Sequence, residues 1–303
     1  MSLAVLAAAA ALALGPQPPN APLVFADSAH GWLGTPTGIL GTSNGGRSWQ
    51  RQSALGGEAL AAVDTRHAWA IAGQGQFLRT VDGRSWENLG VKHLAALSFV
   101  GAAQGFALER DGILLRTTDG GRTWPAVPRA PLAQSLCFAD PAHGWLAQGG
   151  TVFSTSDGGG TWRRVALRPS RQGYPIPALG CRDSGVWIVF HEGAGAGTEG
   201  YEVYRSLDGG RSWREVLATP WQRKLPHISN YAGPFAVLAG GGAVLAGTCS
   251  PCRARGTTTV LQTADGGRTF VRRTFAGANL RALAFTDPAH GWLLLGGRVR
   301  RIR

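Results

Sequence analysis

Six copies of one short pattern constrain this chain more than any other feature. They occupy residues 42–49, 80–86, 117–124, 155–162, 206–213 and 263–270. The third reads Thr117-Thr-Asp-Gly-Gly-Arg-Thr-Trp124, and the others vary it lightly. Their aromatic ends fall at 49, 86, 124, 162, 213 and 270, so successive intervals are 37, 38, 38, 51 and 57 residues. A pattern recurring at such a period marks a stacked or radial repeat, and a unit of about 40 residues suits a four-stranded propeller blade. The two longer intervals read as the same unit with insertions.

A second motif precedes the box in each unit. It appears as Phe25-Ala-Asp-Ser-Ala-His-Gly-Trp32 and returns around Trp69, Phe106, Trp145, Trp187 and Trp292. The apolar, Gly-rich stretch 235–247 reads as a degenerate copy, which makes seven units. Unit three gives the strand pattern: strands at 97–99, 105–108 and 113–117, with a fourth opening at Trp124. The Asp-Gly pairs between them are hairpin signals, because Gly takes the positive φ that tight turns need. The expected fold is all-β, a seven-bladed propeller of four-stranded antiparallel blades. Unit seven offers three strands at most, around Leu283, Trp292 and Val299. Its blade is therefore expected to be incomplete, or closed by an N-terminal strand near 10–14.

Within each box the acidic or amide side chain (Asn44, Asp82, Asp119, Asp157, Asp208, Asp265) is expected to accept backbone N–H bonds inside its own turn. The terminal aromatic is expected to pack against the neighbouring blade. These residues match the Asp-box, or bacterial neuraminidase repeat. Together with the upstream Asp-x-x-His-Gly-Trp, the chain resembles the photosystem II stability and assembly factors and their bacterial relatives, over residues 23–303. The resemblance implies a seven-bladed propeller with a non-catalytic, protein-binding role. The sequence departs from the pattern in unit two, which has one Gly fewer, in unit one, where Asn44 replaces Asp, and in unit seven, where the chain stops at Arg303.

The formal net charge is +12, from 30 Lys and Arg against 18 Asp and Glu, and only Lys92 and Lys224 are lysines. Five Arg (47, 84, 122, 211, 268) share one box position and so would ring one face. Such a surface favours acidic partners, including acidic protein segments and anionic membrane surfaces. None of the common nucleic-acid-binding motifs is present. Residues 3–14 form an apolar run followed by Gly15-Pro-Gln-Pro-Pro19, too short to span a bilayer and suited to a signal-peptide core. Residues 1–20 therefore read as signal peptide and linker, 21–303 as a single propeller domain, and the protein as an exported monomer.

If strands are lettered A to D outward within a blade, the boxes are C–D turns and the His-Gly-Trp motifs A–B turns, on one face. The insertions 168–177, 191–200, 219–234 and 248–258 are D–A or B–C loops, all on the other. Insertions clustered on one face mark a binding surface. This one carries Arg168, Arg171, Tyr174, His191, Trp221, Arg223, Lys224, His227, Tyr231, Arg253 and Arg255. Arginine mixed with aromatics is the composition of interface hot spots, so a protein partner with an acidic segment, such as a membrane protein's, is expected there.

The competing reading is a glycan-binding protein or a sialidase-like hydrolase. Glycosidases need two free carboxylates flanking the bond, and no such pair stands out here. No catalytic residue, cofactor or metal is assigned. Cys249-Ser-Pro-Cys252 reads as a local disulfide in its loop, and Cys137 and Cys181 as separate buried residues on inner strands. His30, His143 and His290 recur in one turn, which argues for a structural role.

Overall fold

The computed structural model describes residues 22–167, 169, 175–195, 197–219, 225–248, 256–277 and 279–302. They form seven antiparallel sheets, each a meander in chain order, arranged as the blades of a propeller. Blade 1 is built from Leu23–Phe25, Gly31–Thr35, Gly38–Thr42 and Gln50–Ser53 as strands A to D. Blades 2, 4, 5 and 6 also have four strands.

Blades 3 and 7 have three strands among the described residues. In blade 3 the expected fourth strand shrinks to a single bridge between Leu115 and Ala126. Pro125 and Pro128 flank that bridge and cannot donate to a ladder. Blade 7 has Leu280–Asp287, His290–Leu295 and Arg298–Ile302. Segment 10–14, the alternative closing strand, lies outside the described residues.

Each blade is covered on both faces, so its inner strands read as unbroken apolar runs. In Ala68–Ala72, strand B of blade 2, every residue is buried. Outermost strands are polar and exposed: Arg163–Arg164 in blade 4, and most of Val271–Ala276 in blade 6. Charged outer strands discourage edge-to-edge pairing with other chains.

The seams between blades hold most of the core, and aromatic stacks mark three of them. Trp69 of blade 2 lies flat on Phe99 of blade 3, with ring centres 3.5 Å apart. Phe106 of blade 3 stacks likewise on Phe138 of blade 4, and Trp292 of blade 7 on Phe25 of blade 1. The last pair closes the ring by side-chain packing, within a cluster that joins Leu23 and Leu33 to Ala282, Ala284 and Leu294. Burying a large aromatic removes about 150–250 Å² from water, on the order of 4–6 kcal/mol as an upper estimate.

The blade 4–blade 5 seam differs. Cys181 takes the strand A position that Phe fills in blades 1, 3 and 4, and it is disulfide-bonded to Cys137 on strand A of blade 4, with Cα atoms 5.9 Å apart. The expectation of two independent buried cysteines is thus corrected. Their places on adjacent inner strands bring them within bonding distance. Cys249 and Cys252 lie outside the described residues.

The boxes are C–D turns throughout. In blade 3, Asp119 accepts the Thr117 and Thr123 hydroxyls at 2.7 and 2.6 Å and the Thr123 N–H at 3.0 Å. Gly120 and Gly121 sit at φ +73° and +91°. A Cβ on Gly121 would fall 2.5 Å from the Phe77 ring of blade 2, so only Gly fits there. Gly120 N–H donates to Ala103 O in the A–B turn, and blades 1, 4 and 5 repeat this bond. Box and A–B turns therefore share one face. Box 2 manages with one Gly because its shorter loop still lets Gly83 N–H reach the Thr80 hydroxyl and lets Asp82 accept the Arg84 and Ser85 N–H groups.

In the A–B turns, Asp27, Asp64, Asp140 and Asp287 each accept N–H bonds from their own turn and pair with His30, His67, His143 and His290. Partial burial raises these carboxyl pKa values, but the hydrogen bonds outweigh it and the net shift is downward. The recurring histidines brace turns. Among the described residues no three His, Cys, Asp or Glu gather as a metal site, and no helix is long and apolar enough to cross a membrane.

Candidate functional site

Blade 5 departs most from the repeat, and it carries the candidate surface. Its strands B and C run Gly185–Gly195 and Thr198–Ser206, eleven and nine residues, where strand B of blade 4 has five. Within 191–200, expected as a loop, residues 191–195 and 198–200 belong instead to these two strands. Ladder pairs continue through His191↔Tyr201 to Gly195↔Thr198. Its Gly-rich composition reads as loop, yet the ladder resumes beyond a register shift between His191 and Ala194.

His191 is accordingly not a surface docking residue. It is 4% exposed, and its Nδ1 lies 3.0 Å from Glu199 Oε1. Glu199 also accepts the Ala232 N–H, on strand A of blade 6, at 3.2 Å. Beside it Tyr201 is buried. Its hydroxyl donates to Ser229 O at 3.2 Å and accepts the Ile228 N–H at 2.8 Å. Burial pushes its phenol up to about 12, so it stays a neutral donor. On the opposite side of the hairpin Glu202 is fully buried and accepts the Tyr204 hydroxyl at 3.1 Å.

These contacts pin the D–A loop between blades 5 and 6. Arg272, on strand D of blade 6, adds bonds from its guanidinium to Ile228 O and His227 O. The loop backbone is thus fixed at His227 while the His227 residue itself is exposed. Tyr231 opens strand A of blade 6, half-buried and paired with Thr248. His227 lies in the D–A loop and Tyr231 opens the strand that follows it. Arg168, Arg171, Tyr174, Trp221, Arg223, Lys224, Arg253 and Arg255 lie outside the described residues.

The site offers a rigid hairpin, a pinned loop and hydrogen-bonding aromatics. Two carboxylates of the hairpin, Glu199 and Glu202, each hold a buried partner. Five box aspartates are tied into their own turns. Sequence reasoning missed the His191–Glu199 and Tyr204–Glu202 pairs. The signal available was the alternation His191, Glu199, Tyr201, with acceptor and donor types on one side of a strand pair.

No family model matches the chain, and no curated protein does. Solved structures do. YCF48 bound to D1 peptide superposes with a TM-score of 0.63 at 18% identity, covering 95% of each chain. YCF48 from Cyanidioschyzon merolae gives 0.63 at 17%, covering 95% of this chain and 97% of that one. The GH74 xyloglucanase from Xanthomonas campestris gives 0.68 at 16% and covers 94% of this chain, which spans about half of the enzyme, 52%. At these identities the likeness shows the fold, a seven-bladed propeller shared by binding proteins and hydrolases alike.

Proposed function

We propose that this chain is a non-catalytic, exported propeller scaffold, of the assembly-factor kind, that docks a protein partner on the face carrying its B–C and D–A loops. Residues 1–20 serve as export signal and linker, and 21–303 as one binding domain. The observation that carries the reading is the elaboration of one face. The extended hairpin of blade 5 rises from an otherwise regular ring, and internal polar contacts tie it to the described part of the neighbouring D–A loop. Preorganised loops lower the ordering cost of binding. The full-length likeness to YCF48, seen with a D1 peptide, supports a peptide or protein as the ligand class. The net charge of +12 supports an acidic segment, such as one presented by a membrane protein.

The test is affinity capture from cross-linked membranes of the source cells, wild type against an Arg223→Glu/Lys224→Glu double variant of matched thermal stability. A partner held by the wild type and lost from the variant is the expected result, and equal capture refutes the assignment. A second reading draws on the xyloglucanase likeness: a glycan-binding or hydrolytic propeller. Sugar release from xyloglucan, or fluorophore release from a sialoside, by purified protein would favour it.

A further inference from the structure

The seams carry a repeated latch on the box face. Near its start strand B carries an aromatic whose ladder partner on strand C is Arg in four blades: Trp69↔Arg79, Phe106↔Arg116, Trp187↔Arg205 and Trp292↔Arg301. Indole and guanidinium reach toward the box of the next blade. Trp69 Nε1 donates to Gly120 O at 2.9 Å, with Arg79 Nη1 3.2 Å from Asp119 O. Arg205 Nε donates to Gly266 O at 2.7 Å, and Trp292 Nε1 to Gly45 O at 2.9 Å. The guanidinium also lies over the aromatic: Arg116 is 5.7 Å from the Phe106 centroid, and Arg301 is 6.0 Å from that of Trp292. Blade 1 has Gly41 at the latch position, but Gln52 substitutes, donating to Gly83 O and accepting both Trp32 and Trp86 N–H groups.

Blade 6 has Val244 opposite Gln262, which donates to Pro288 O of blade 7. Among the described blades with an aromatic at this position, blade 4 alone has neither Arg nor Gln to make the bond. Trp145 pairs with Ser154. Trp145 is 2% exposed, and its Nε1, like that of Trp187 in blade 5, is buried with no hydrogen-bond partner among the described residues; blade 5 has Arg205 to reach the next box, and blade 4 has no such group. Neither latch bond reaches Gly209, the equivalent carbonyl of blade 5. A cavity of about 670 Å³ opens at this point, lined by Trp145, Ser154, Gly209, Asp183, Arg163 and Arg211 among others. Asp183 is exposed, sits at φ +54°, and among the described residues has neither a hydrogen bond nor an ion pair on its carboxylate. The disulfide Cys137–Cys181 holds the inner strands of the same seam together, so the gap exists without the blades parting.

We infer that this seam is a slot for an arginine side chain supplied by a partner protein. The slot presents an aromatic face, a box carbonyl and a free carboxylate. The first two are what the chain's own arginines use at other seams, and the carboxylate adds a bidentate acceptor. Lysine lacks the planar fork that stacks and bonds at once. Arg163 and Arg211 also line the cavity and oppose a bare cation, so the favoured segment carries its arginine between acidic neighbours. The slot lies on the box face, away from the loop face, and stands or falls independently of the docking proposed there.

The probe is the peptide N-acetyl-Glu-Arg-Glu-amide, titrated into the full chain by calorimetry, with the equally charged Glu-Lys-Glu peptide as control. Saturable binding of the arginine peptide, about ten-fold tighter than the lysine peptide, is expected. Ser154→Arg, which supplies the missing latch in cis, and Asp183→Asn should each weaken it at least about ten-fold. Asp183→Asn is a surface change and keeps the test valid if Ser154→Arg fails to fold. Absence of saturable binding, equal binding of both peptides, or unchanged binding by a folded Asp183→Asn overturns the assignment.

Discussion

Replacing seam tryptophans by phenylalanine separates the hydrogen-bond part of the latch from its packing part. Trp292 is fully buried, stacked 3.6 Å from Phe25, and donates to Gly45 O at 2.9 Å. Trp292→Phe keeps a ring against Phe25 and strands a buried carbonyl, at a cost of about 1–3 kcal/mol. It also leaves a small void. Trp145 is buried as deeply, yet its N–H has no partner. Trp145→Phe leaves a comparable void and removes a polar group that was already unsatisfied, which offsets part of the loss.

The void contribution is common to both, so the difference between the variants isolates the latch bond. It should be about 2 kcal/mol, with Trp292→Phe the less stable. For a chain of this size that corresponds to roughly 3 °C in melting temperature. Far-UV circular dichroism during urea and thermal unfolding reads it without depending on tryptophan emission. Equal losses in the two variants, or a larger loss in Trp145→Phe, would refute the reasoning that the latch bonds hold seams.

Reduction of Cys137–Cys181, or its Ser/Ser replacement, opens a closed loop of sequence separation 44 and should lower unfolding stability by about 3–4 kcal/mol. Urea midpoints with and without reductant check it, and a midpoint shared by both states contradicts it. Acid should destabilise the ring through its boxes. The Thr161 hydroxyl, then the Thr161 N–H and the Thr155 hydroxyl, hold the Asp157 carboxyl at about 2 against an ordinary 3.8, and Asp82, Asp119, Asp208 and Asp265 shift the same way. A folded value below the unfolded one contributes stability above about pH 4 that is lost as pH falls toward 2. Melting temperature should therefore fall across that window and be flat in these groups above it. Asp157→Asn should shallow the fall, since Asn44 already fills the same role in blade 1 with bonds to Thr42 and Ser48. An identical acid limb in that variant would count against the assignment.

The seven sheets, the box turns and the shared face of the two motifs were legible because each is a local event repeated with little change. Asp119 and its neighbours report their turn within four residues of chain. What stayed hidden depends on which residues meet across a seam. Cys137 and Cys181 lie one position apart in their respective repeats, and only the packing of adjacent inner strands shows that they bond. His191 was read as part of an exposed loop because glycines follow it, whereas strand pairing extends through that stretch and buries the ring. The arginines of strand C look like scattered surface charge until Arg79 and Arg205 are seen bonding to the next blade. Most of the predicted docking residues, Trp221 to Lys224 among them, lie outside the described residues, so that surface rests on His227, Tyr231 and the geometry beneath them.

At three seams the latch points one way around the ring: blade 2 donates to blade 3, blade 5 to blade 6 and blade 7 to blade 1. The blade 1–blade 2 seam also carries a bond back, from Trp86 to Gln52. A blade leaving the ribosome therefore exposes its donors first and waits for its successor to supply their acceptors. Intermediates that end at blade 2 or 5 have latch donors waiting on their leading edge, and the donor of blade 7 is satisfied only when blade 7 meets blade 1. Assembly of this ring is in effect a polar growth process with a single sealing step, and a variant that weakens Trp292 should slow sealing more than it slows the steps before it.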